Sequence, residues 1–183
     1  MKSTFYFPRW CNSLLGILAG GMLVASVPPA LAADGGDFFS AWDALPTHYQ
    51  GQVLRVSADS GTPNPPAWYF SARNPQRNNA VHSITVIDGQ VTRDAPSLDL
   101  RTLFRGPTPI SISRVSVDST GAWNATRNFV EGRGQRLGSV SYVLEQAGSD
   151  ADPIWQIWAY DATGSYIAFL RILATTGAII ESR

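Results

Sequence analysis

Few side chains in this chain are able to run a reaction. His48 and His82 are its two imidazoles, and Cys11 is its one thiol. His48 follows Pro46 at the end of a helix-like stretch, and His82 lies beside Ser83 in a strand-like one. A metal site needs two or three further ligands close by. None stands at ligand spacing from either histidine, so no metal is expected and both read as ordinary structural residues. A Ser-His-Asp set is scattered along a chain, so counting residues leaves a small hydrolase open as a third reading. No Gly-x-Ser-x-Gly elbow occurs to support it. Asp161-Ala162-Thr163-Gly164 starts like a calcium loop but lacks the alternating carboxylates and distal glutamate, and it reads as a turn. Gly132-Arg133-Gly134 follows a helical stretch instead of leading into one, which is the wrong order for a phosphate cradle. Arg73, Arg77 and Arg93 read as a solvated face in preference to an anion site. No catalytic residue and no cofactor are expected, and the chain reads as a non-enzyme.

The elements that would carry these residues follow from hydrophobic spacing. Phe38, Ala41, Trp42 and Leu45 recur at helical intervals, which predicts a helix in 37–49 limited by Pro46. Strands are predicted over 53–58, 67–73, 81–87 and 90–93, with a proline-rich loop at 61–66, a polar turn at 74–79 and an Asp88-Gly89 hairpin. A second series follows: a helix over 122–131 capped by Ser119, then strands over 139–145, 154–160, 166–173 and 178–181. Between the two series, 97–104 reads as a short helix, and Ile110, Ile112, Val115 and Val117 suggest an extended segment. This connector is too apolar for a free linker and is expected to pack across both halves.

The two series are related. At an offset of 87 residues, Gly51 meets Gly138, Val53 meets Val140, Gly61 meets Gly148, Pro66 meets Pro153, Trp68 meets Trp155 and Ala72 meets Ala159. Trp42 and Phe129 are conservative partners at the same offset, and one added residue aligns Ile84 with Ile172 and Gly89 with Gly177. In a strand, alternate side chains face opposite ways. The retained residues Trp68, Phe70, Ala72 and Trp155, Ile157, Ala159 therefore form the inward faces, covered by the helices. Tyr69, Ser71 and Arg73, and Gln156, Trp158 and Tyr160, form the outward faces. The strand at 166–173 is apolar on both sides except at Arg171, so something is expected to cover the second outward face: the connector, the first half, a partner or a ligand.

Composition narrows the class. Lys2 and Arg9 precede an uncharged apolar run of 14 residues at 14–27, and Ala30-Leu31-Ala32 supplies a small-x-small site. This is the layout of a signal peptide over 1–32. The run is shorter than the roughly 20 residues of a membrane span, so no stable span is expected after cleavage. The mature chain would contain no cysteine and no lysine, with twelve arginines against fourteen acidic residues. No basic stripe marks a nucleic-acid surface. The Asn124-Ala125-Thr126 sequon reads as chance.

The run "PIWQIWAYDATGSYIAFLRILATTGAII" resembles the PepSY family: an aromatic strand (154–160), an Asp-x-x-Gly turn (161–164), another strand (166–173), and Thr176-Gly177 ahead of Ile179 and Ile180. "VDSTGAWNA" resembles the lead-in to that family's helix, and Trp68 to Val91 carries the likeness more weakly, with Asn74 replacing the aspartate. The resemblance implies an exported module of a helix followed by an antiparallel sheet, without a catalytic residue, tied to peptidase propeptides or envelope proteins and in some cases inhibitory. Paired helix-plus-sheet units are also similar in architecture to secreted β-lactamase inhibitory proteins, which unlike this chain use disulfides.

The expected fold is therefore α+β: two tandem PepSY-like units, 34–96 and 119–183, joined by an apolar connector, 97–118, into one compact body. The expected function is binding of a protein partner in the periplasm or outside the cell. Trp158, Tyr160 and Tyr69 are the contact candidates, since aromatics offer large area at modest entropy cost. The alternative is a small-molecule or lipid binder with its ligand in the cleft between the two sheets.

Overall fold

Trp68 and Trp155, the tryptophans matched by the internal repeat, are fully buried beside each other with ring centroids 6.3 Å apart. A computed structural model of the protein describes residues 36–97 and 108–183. The signal-peptide reading of 1–32 and nearly all of the helix read over 97–104 lie outside those residues. Within them, α1 (Phe38–Asp43) precedes four strands, β1 (Val53–Gly61), β2 (Trp68–Asn74), β3 (Ala80–Ile87) and β4 (Gln90–Pro96). Then α2 (Ser119–Glu131) precedes β5 (Ser139–Glu145), β6 (Ile154–Tyr160), β7 (Tyr166–Leu173) and β8 (Ile179–Ser182). Local chemistry accounts for the turns. Asp88 and Gly89 both adopt positive φ, 51° and 66°, as the tight hairpin between β3 and β4 requires. Asn74 caps a 3₁₀ turn at Pro75–Arg77 by accepting a bond from Gln76 N at 2.9 Å.

All eight strands form a single antiparallel sheet in the order β4-β3-β2-β1-β5-β6-β7-β8. The expectation of two helix-plus-sheet units, each with its own sheet, is thereby overturned. The two related halves join edge to edge: β1 pairs with β5 through Arg55 opposite Glu145, Val56 opposite Leu144 and Ser57 opposite Val143. The reason is physical. Each half alone would leave the outer N–H and C=O groups of its first strand unpaired, and pairing the two edges satisfies both rows at once. It also removes the cleft between two sheets, so the ligand alternative loses its proposed site.

The seam at β1 and β5 lies under the centre of the core. Tyr142 on β5 is fully buried between the tryptophans, stacked on Trp68 and edge-on to Trp155, each at 5.8 Å. Phe38 of α1 meets Trp155 edge-on at 5.1 Å and Trp68 at 5.8 Å, and Trp42 meets Phe70 at 6.1 Å. Phe70, Ala72, Ile157 and Ala159 are buried in the same cluster, and Phe129 packs against it. Trp68 Nε1 donates to Gly36 O at 3.2 Å, and Trp155 Nε1 donates to Val117 O at 2.8 Å. Each of those carbonyls lies two residues ahead of a helix, so each tryptophan ties its strand to the start of one helix.

The helix starts correct the sequence reading in detail. Asp118, not Ser119, caps α2, accepting from Gly121 N at 2.7 Å, and α2 begins three residues earlier than expected. Ser119 Oγ instead accepts from Phe38 N at 3.2 Å and joins the two helix N-termini. Asp37 caps α1 in the same way, through Ser40 N at 2.8 Å. The described part of the connector, 108–118, contains a 3₁₀ turn at Ile112–Arg114 and is otherwise without regular structure. Ile110 N donates to Val53 O at 2.7 Å, while Ser116 N and Val117 N donate to Ala174 O at 2.9 Å. Ile110 and Val115 are buried in the core cluster. The segment thus crosses between the halves on the helix side of the sheet. No helix among the described residues is long and apolar enough to cross a membrane.

Candidate functional site

Strand alternation gives the sheet two unlike faces. α1, α2 and 108–118 pack on the face that carries Trp68 and Trp155. Among the described residues, no helix packs on the opposite face. Cross-strand pairing sets one row of that open face as Arg93, Thr85, Tyr69, Ser57, Val143, Gln156, Arg171 and Glu181, running from β4 to β8. A neighbouring row brings Trp158 between Ser141 and Phe169.

The three contact candidates all lie on this open face. Trp158 is half-buried, with its ring 5.1 Å from Phe169. Tyr160 is half-buried, edge-on to Tyr166 at 6.3 Å. Tyr69 is 44% exposed. Trp158 and Tyr160 are two residues apart on one strand and act as neighbours. Tyr69 is three strand spacings away, about 14 Å across the sheet, so the candidates form two patches. Phe169 and Tyr166 belong to the ring patch and were not singled out from the sequence. The double apolar pattern of β7 was their signal. Of the covers expected over this face, neither 108–118 nor the first half supplies one: the former runs on the other side, and the latter extends the same sheet.

Ion pairs brace the open face. Arg55 Nη1 meets Glu145 Oε1 at 2.5 Å across the β1–β5 seam, and Gln156 Nε2 donates to Glu145 Oε2 at 3.0 Å. Glu181 accepts from Arg171 at 3.1 Å and pairs with Arg183 at 2.6 Å. The hydrogen bond from Arg171 and then that from Arg183 hold the Glu181 carboxyl below its ordinary range.

A second constellation, missed from the sequence, lies near the β4 end of the sheet on the helix side. Tyr49, in a 3₁₀ turn at Thr47–Tyr49, donates its hydroxyl to the Asp94 carboxylate at 2.9–3.0 Å and accepts from Asn74 Nδ2 at 2.7 Å. His82 Nδ1 lies 2.6 Å from Asp94 Oδ1 and 3.1 Å from the Tyr49 hydroxyl. The carboxylate can only accept, which assigns a proton to Nδ1. That arrangement orients imidazoles used as bases. Here Nε2 is buried and meets no hydrogen-bond partner, so no nucleophile is within its reach among the described residues. Burial, then the bond to Asp94, raises the Tyr49 phenol to about 12. The cluster ties β2, β3, β4 and the 3₁₀ turn together. The His48 ring lies tilted beside Tyr49, with centroids 4.2 Å apart.

The remaining polar motifs resolve as structure. Asp161 Oδ1 accepts from Thr163 N at 2.8 Å, Ser165 N at 2.9 Å and Thr163 Oγ1 at 2.6 Å, which closes the turn before β7. These bonds, the Thr163 hydroxyl first, lower its carboxyl from the ordinary range. No group of three or more His, Cys, Asp or Glu arranged to hold a metal occurs among the described residues. No protein-family model matches the chain, and comparisons with curated proteins and with solved structures find no match.

Proposed function

We propose that the protein is an exported, non-enzymatic binding module that docks a protein partner on the open face of its sheet. The observation that carries this reading is the ring patch: Trp158 on Phe169 and Tyr160 on Tyr166, beside half-buried Leu173, on the face where no helix packs among the described residues. A sheet face holding aromatic side chains suits protein recognition, since large rings bury much area and lose few rotamers. The partner in this proposal is a peptidase or another envelope component, and occupying a peptidase's substrate approach would inhibit it. The PepSY resemblance of 154–180 and the signal-like 1–32 belong to the same proposal and set its location, periplasmic or secreted.

The test is capture from envelope extract with the wild-type chain and with Trp158→Ala, Tyr160→Ala and Tyr69→Ala. A partner retained by the wild type and lost on substitution of the ring patch supports the reading. A partner held equally by all three variants rejects it.

A further inference from the structure

We draw no further inference here: the strongest candidate, the exposed Ile179–Ile180 pair on the short edge strand β8, is a small apolar patch, and nothing in the structure shows what covers it.

Discussion

Trp155→Ala tests whether the two related halves share one core. The indole is fully buried, lies 5.1 Å from Phe38, 5.8 Å from Tyr142 and 6.3 Å from Trp68, and donates to Val117 O. Truncating a buried tryptophan costs about 3–5 kcal/mol in lost transfer energy and cavity. The carbonyl of Val117 left without its donor adds about 1 kcal/mol. Against a typical total of about 5–15 kcal/mol, this is a large fraction, and it lowers the melting temperature by about 10–15 °C. Urea unfolding should be followed both by far-ultraviolet circular dichroism and by tryptophan fluorescence. Because Trp155 meets Trp68 and Phe38 of the other half, the variant should unfold in one transition by both probes, at a lower midpoint and an unchanged slope. In a double-mutant cycle, Trp68→Ala and Trp155→Ala should be non-additive by about 0.5–3 kcal/mol, as expected for touching groups. An unchanged midpoint, strict additivity, or a two-step curve in which the first half melts at the wild-type position refutes the shared core.

Three further outcomes follow from other sites. Tyr49→Phe removes the donor to Asp94 and the acceptor of Asn74 and should cost about 1–3 kcal/mol in urea unfolding; a cycle with Asp94→Asn that is additive would show that the cluster is not one network. In alkaline solution Tyr49 and Tyr142 should stay protonated while the fold lasts, since burial raises both phenols, Tyr49 to about 12. Their folded pKa values lie above the unfolded value near 10, so the associated stability is complete below about pH 10 and is lost as pH rises towards 12. Tyrosinate absorbance from these two residues appearing well below the unfolding transition would contradict this. Gly138→Ala places a methyl against the backbone of Asp161 and Ala162 where Gly138 N bonds Tyr160 O, and should destabilise by about 1–3 kcal/mol; a wild-type melting temperature would refute that close approach.

The sequence reading reached single strands and turns but not their assembly. Asp88-Gly89 and Asp161–Gly164 are legible because a two-residue hairpin and an Asx turn are made by the residues that form them. The inward placement of Trp68, Phe70, Trp155 and Ile157 is legible because a period of two requires only the strand itself. The placement of Trp158, Tyr160 and Tyr69 on the outward face follows from the same alternation. The Tyr49–Asn74–His82–Asp94 cluster was not legible. Its members come from four separate elements, each polar residue unremarkable alone, and only the register of β2, β3 and β4 brings them within hydrogen-bond distance. The α2 cap was misassigned for a related reason. Asp118 and Ser119 are both good caps, and Ser119 Oγ is taken by Phe38 N from the other half of the chain.

By itself the sequence determined the repeat, the positions of eight strands and the side of β2 and β6 that avoids water, because propensity and alternation act over a few neighbouring residues. Only the tertiary structure decided that β1 and β5 bond to one another, that Tyr142 closes the gap between two tryptophans 87 positions apart, and that α1 and α2 pack on the same face of the sheet. Backbone N–H and C=O groups are alike at every residue, so nothing in side-chain order states which strand edge will meet which. That choice falls to the arrangement that pairs both free edges and buries both aromatic faces together.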